Sequence, residues 1–222
     1  MRPVFAPIVS VMLAASAVAP LLAQSADPID RAVAAWAKIK TIKGTFEQTV
    51  TNSLTGTSAT THGDFVQDRP NRLAIRFRAP DDGAIVSDGK VLWVYLPASQ
   101  PGQVQKRPAT DRSAIPIDFT GQFLEAPRSK YEIAPLGTKT VEGHAARGFK
   151  LTPKPGVSAG FSVATVWVDD DDALIREFEE TETNGVTRHI RLMSLDPNAA
   201  VDRASFTFTP PNGVKIVDQT KP

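Results

Sequence analysis

Two periodicities divide the chain. The first is helical: Ile29, Val33, Trp36 and Ile39/Lys40 recur every three to four residues. Asp27 suits the cap and Pro28 the first turn, and Gly44 is read as the stop. Beyond Gly44 the period becomes two. Phe46, Gln48 and Val50 alternate with Thr45, Glu47 and Thr49, while Leu73, Ile75 and Phe77 oppose Arg72, Ala74, Arg76 and Arg78. Further strands are predicted at Val91–Leu96, Gly102–Lys106, Tyr131–Leu136, Ala146–Thr152, Phe161–Val168, Leu174–Glu180, Val186–Leu195 and Ser205–Phe208. Turn signals separate them, among them Asp88-Gly89, Pro101-Gly102, Glu142-Gly143, Asp169–Asp172 and Asn184-Gly185. The prediction is a mainly β fold with a few helices, a single antiparallel sheet curled towards a barrel.

Two segments break the alternation. Val91–Leu96 (VLWVYL) carries no polar residue, so both faces of that strand are apolar where an ordinary antiparallel strand keeps one face wet. Trp93 and Tyr95 share one face, and Leu92, Val94 and Leu96 the other. Arg107–Lys130 shows no period at all, yet it holds Ile115, Ile117, Phe119, Phe123 and Leu124. It is too apolar for a solvated loop and too long for a turn, and is read as a short helical lid or plug.

The amino terminus follows a different logic. Arg2 is the only charge before Asp27, and Val4–Leu22 is an apolar run ending in the small-residue stretch LLAQSA. Residues 1–25 read as a cleaved secretory signal peptide, leaving 26–222 as a single domain. A membrane anchor is the weaker reading, because Pro7 and Pro20 shorten the run. The chain has no cysteine, hence no disulfide, thiol nucleophile or lipid-accepting thiol.

Charge and motifs narrow the function. With 25 basic and 24 acidic residues, the chain lacks the field of a nucleic-acid binder. His62, His144 and His189 are scattered, and no phosphate-binding glycine loop, GxSxG elbow or HExxH helix occurs. Asp169–Asp172 lacks the ligand spacing of a calcium loop and reads as a solvated hairpin tip. No enzyme and no metal or cofactor site is expected. What stands out is the apolar content. A curled sheet has a concave face, which is either filled by side chains or left as a site for hydrophobic ligands. Arg69, by period-two parity, falls on the face of Leu73, Ile75 and Phe77. There it either meets backbone carbonyls of a lid or simply reaches solvent at the strand end.

Five segments in order, GTFEQTV at 44–50, RPNRLAIRF at 69–77, VSDGKVLWVYL at 86–96, Phe161–Trp167 and FTFTPPNGVKIV at 206–217, resemble the LolA family of periplasmic lipoprotein carriers of Gram-negative bacteria. The resemblance runs from Ile29 to Gln219. It implies an unclosed β-barrel covered by a helical lid, enclosing a cavity for acyl chains. Phe46, Val50, Phe65, Leu73, Ile75, Phe77, Trp93 and Tyr95 are expected to line that cavity. Arg69 matches the arginine that latches the lid, and the lid is expected at Ile115, Ile117, Phe119, Phe123 and Leu124. The implied partners are lipoprotein cargo, an ATP-driven inner-membrane complex that releases it, and an outer-membrane acceptor, served by a monomer. The alternative is an exported binder or sensor of other lipids on the same fold.

Overall fold

The computed structural model describes residues 27–110, 118 and 120–220. The expected signal peptide lies outside the described residues, as do Ile115, Ile117 and Phe119.

The first element is α1, Pro28–Lys38. Asp27 Oδ1 accepts the Ile29 N–H at 3.0 Å, and Pro28 takes the first turn. The helix ends at Ile39, in extended conformation, and not at Gly44. Gly44 lies inside β1 (Thr41–Asn52), where a Cβ would stand 2.1 Å from the Ser194 carbonyl oxygen and 2.9 Å from the Phe65 ring. Its glycine serves a close approach between strands, not a helix stop.

The strands that follow are β2 (Thr57–Asp68), β3 (Arg72–Phe77), β4 (Ala84–Asp88), β5 (Val91–Tyr95) and β6 (Gln103–Pro108). Two one-turn helices, α2 (Gly121–Leu124) and α3 (Pro127–Lys130), precede β7 (Tyr131–Val141). The chain continues through β8 (His144–Pro153), β9 (Val163–Asp169), β10 (Ile175–Thr181) and β11 (Val186–Pro197). A 3-10 turn at Arg203–Phe206 and the short β12 (Lys215–Asp218) complete it.

All the strands form one sheet in the order β12-β6-β5-β4-β3-β2-β1-β11-β10-β9-β8-β7. Two meanders are thus joined through the long β1–β11 pair, with Ile42 opposite Pro197 and Asn52 opposite Val186. β12 and β7 remain edges, so the barrel is unclosed. Every pairing is antiparallel except β12, which runs parallel to β6. The strand predicted at Ser205–Phe208 does not form. Pro210 and Pro211 follow it, and its aromatic side chains pack on the sheet's outer face while its backbone joins no ladder.

The concave face carries the main core, including Phe46, Phe65, Leu73, Ile75, Leu92, Val94, Phe178 and Leu192, all buried. The convex face carries a smaller cluster, in which Phe206 covers Ala74, Ala84 and Val86. Helix α1 packs on the concave side through Ile29 and Ala32, with Phe123 and Leu124 of α2 in the same cluster.

Candidate functional site: a lidded hollow

Between sheet and lid lies a hollow of about 780 Å³. The sheet supplies Phe46, Ile75, Phe77, Ile85, Phe178 and Ile190; the lid side supplies Trp36, Asp118, Gly121 and Gln122. Phe46 and Phe77 meet edge to face, with ring centroids 5.7 Å apart. Towards the ends of α1 and α2 the interior closes. Phe65, Leu124 and Leu192 surround a void of only about 20 Å³, room for a water-sized group.

Arg69 lines the hollow and binds its cover. One guanidinium nitrogen, Nη1, donates to the carbonyl oxygens of Trp36 at 2.7 Å and Ile39 at 2.9 Å. These carbonyls end α1, where the helix dipole favours a cation; that of Trp36 also accepts the Ile39 N–H at 3.1 Å. The guanidinium stacks 3.8 Å from the Trp36 ring centroid, and Nε stands 3.3 Å from Asp118 Oδ2. Asp118 gathers the rest. Its Oδ2 accepts the Trp36 indole N–H at 3.2 Å, and Oδ1 accepts the Gly121 N–H at 2.8 Å. A Cβ on Gly121 would lie 2.1 Å from that carboxylate, so a larger residue there would displace Asp118 from this position. One cation and one carboxylate therefore join β-sheet, α1 and α2.

Of the expected wall residues, Phe46, Ile75 and Phe77 line the hollow. Phe65 lines the small void instead, and Leu73 is fully buried in the core. Val50 shares the inward parity of Phe46 but does not line the hollow. Trp93 and Tyr95 are on the wrong side for it. They face outwards against Phe208, at 5.7 and 6.1 Å between ring centroids, and Lys106 lies over Trp93. Leu92 and Val94 take the inner face, so the apolar strand is covered twice. Phe123 packs on Phe161 and Phe178 at 5.8 and 5.0 Å.

The hollow also holds polar groups that were not anticipated: Gln48, Gln122, Glu125, Lys130, Glu180, Glu182 and Arg188. Burial raises the Glu180 carboxyl above its ordinary range, and Gln122 Nε2 donates to it at 2.6 Å. Burial likewise raises the Tyr131 hydroxyl, with the charges of Glu180 and Glu125 adding to it; that hydroxyl donates to the Gln122 carbonyl at 2.9 Å. For Gln48, Glu180, Glu182 and Arg188, inward parity with Phe46, Phe178 and Ile190 is the signal in the sequence; Gln122, Glu125 and Lys130, in the helical segment, have no such mark.

The remaining polar clusters lie elsewhere. Each histidine meets a carboxylate: His62 with Glu47, His144 with Asp169 and His189 with Glu177. Asp169 is buried and takes Arg176 Nε at 2.9 Å, so the acidic run is anchored at its start and is not a wholly solvated tip. No group of three or more metal-ligating side chains occurs among the described residues.

Residues 37–209 match the family described as outer membrane lipoprotein carrier protein LolA. An outer-membrane lipoprotein carrier protein of Klebsiella pneumoniae is 32% identical over 185 residues, covering 83% of this chain and 84% of that protein. One from Pectobacterium carotovorum is 30% identical, covering 82% and 83%. Among solved structures, an uncharacterized conserved protein from Thermus thermophilus shares the fold at a TM-score of 0.50 and 12% identity, covering 86% of this chain and 97% of that one.

Proposed function

Because this chain belongs to the LolA family of outer-membrane lipoprotein carrier proteins, we propose that it shuttles lipoproteins across the periplasm and shields their acyl chains in the hollow on the way. The leader pattern of residues 1–25 supports export, with 26–222 as the carrier domain. On this reading a monomer receives cargo from an ATP-driven complex in the inner membrane and passes it to an acceptor at the outer membrane.

The observation that carries the proposal is the apolar hollow under a cover fastened through Arg69. Leaving one sixteen-carbon chain in water costs on the order of 10 kcal/mol, at about 0.8 kcal/mol per methylene. A carrier has to cover that surface and still let go. On this reading an entering guest pushes the lid aside. Doing so breaks the Arg69 bonds to Trp36 and Ile39, each worth about 1 kcal/mol or somewhat more. The empty carrier rests closed and the loaded one is strained towards delivery.

Native mass spectrometry of the protein purified from periplasm tests this. One acylated protein per carrier is the expected result. Phospholipid as the main occupant would instead favour a general lipid binder, and an empty carrier in cells blocked in delivery would remove the proposal.

A further inference from the structure

A wall made for hydrocarbon alone has no use for hydrogen-bonding groups, yet one end of this hollow is built from them. The strand registers place them in rows. Thr61, Gln48, Ile190 and Phe178 lie in line across β2, β1, β11 and β10. The next inward row runs through Val50, Arg188 and Glu180. Gln48, Arg188, Glu180 and Gln122 all line the hollow. The strands have thus set a polar band immediately beside the apolar floor.

The band is partly unsatisfied. Among the described residues, Thr61 Oγ1, behind the lining, is buried with no hydrogen-bond partner, and the half-buried Gln48 amide beside it, which does line the hollow, makes no hydrogen bond. Arg188 gives one N–H to Glu182 at 3.1 Å, and a guanidinium has further donors to offer. A buried hydroxyl left unpaired costs about 1–3 kcal/mol, and half-buried amide and guanidinium groups are a poor lining for hydrocarbon alone. Glu180, whose carboxyl burial raises, has Gln122 as its hydrogen-bond donor.

The chemistry of the band selects a guest. Ester and amide carbonyls accept from Arg188 and the Gln48 amide nitrogen; an amide N–H donates to Glu180 or the Gln48 oxygen. Three acidic residues, Glu125, Glu180 and Glu182, outnumber two basic ones, Lys130 and Arg188, around this end. That balance disfavours a phosphate or a free carboxylate. We propose that this end is a polar subsite for the neutral, ester- and amide-bearing head of an acylated guest, fixing its orientation with the chains towards Phe46, Ile75 and Phe77. The inference rests on the carrier reading and adds to it how the cargo is told apart from a phospholipid.

The test uses the mature protein and three probes: a peptide carrying a diacylglyceryl group on its amino-terminal cysteine, a pyrene-labelled alkane, and phosphatidylglycerol. Gln48→Leu and Arg188→Met are each expected to weaken lipopeptide binding about tenfold while changing alkane binding less than twofold. Thermal melts establish that the variants fold; Gln122→Leu, at another residue lining the hollow, stands in for any that does not. Equal losses for lipopeptide and alkane, or no loss for either, would overturn the subsite alone. Phosphatidylglycerol bound as tightly as the lipopeptide would overturn its preference for a neutral head. If the unaltered protein fails to bind the lipopeptide, the carrier reading falls and the subsite with it.

Discussion

The two faces of strands β3 to β5 are covered in different ways. On the convex side the carboxy-terminal segment lies directly on the sheet. Phe206 is buried against Ala74, Ala84 and Val86, Phe208 meets Trp93 and Tyr95, and Arg76 Nη2 donates to the carbonyls of Ser205 and Thr207. On the concave side the cover packs on the core over part of its length, through Ile29, Ala32, Phe123 and Leu124, and stands off the wall over the rest. Helix α1 is tied by a guanidinium to its last carbonyls, and about 780 Å³ stays open beneath. A cover seated by close packing is a permanent part of the core. A cover that is packed over only part of its length and tied elsewhere by a few polar bonds has fewer contacts to lose on moving.

The largest expected effect lies on the convex face. Phe206→Ala removes a ring that is 4% exposed and should cost about 3–5 kcal/mol in urea denaturation. Acyl-chain binding should be unchanged wherever the variant is folded. If binding disappears as well, the two faces are not separate devices.

On the concave face Arg69→Leu should cost less, because it removes the two carbonyl bonds and the contact with Asp118, about 2–4 kcal/mol of lid closure in all. Hydrogen exchange in α1 should quicken. Cargo should still load, but transfer to an acceptor membrane should slow severely, since the closed empty state no longer drives release. Transfer at the unaltered rate would remove the latch.

The smallest effect concerns Glu180. Its raised pKa means that burial penalises the charged form, so the protein loses stability as pH climbs past the ordinary carboxylate value of 4.5 and through the raised one. Glu180→Gln keeps an acceptor for Gln122 and drops the charge. A slightly higher Tm at pH 7, with the gain vanishing below pH 4.5, is the expected outcome of paired melts. A lower Tm at pH 7 would mean that the charge of Glu180 supports the fold.

Parity in the sequence reached further than the identities of the elements. It puts Arg69 on the inner face with Leu73, Ile75 and Phe77, and the same parity points Gln48, Glu180 and Arg188 inward. It does not say which face is inner for a strand apolar on both sides, and Trp93 and Tyr95 were assigned to the cavity for that reason. Their true cover, Phe208, comes from more than a hundred residues along the chain. β2 carries no apolar alternation in its first half, which is held by hydroxyl pairs, Thr49 with Thr60 and Thr51 with Ser58. β4 is short and merges into the Asp88-Gly89 turn. Asp118 had no pattern to mark it: its role comes from the meeting of Trp36, Arg69 and Gly121, which only the fold brings together.

Photocrosslinking compares the two faces most directly. A benzophenone amino acid placed at Phe77, in the hollow, or at Trp93, on the convex side, is irradiated with a diacylated lipopeptide bound. Adducts to the acyl chains from position 77 and none from position 93 are the result expected. Adducts from 93 with none from 77 would mean that fatty chains are carried on the outer surface, and that the lidded hollow is not where they travel.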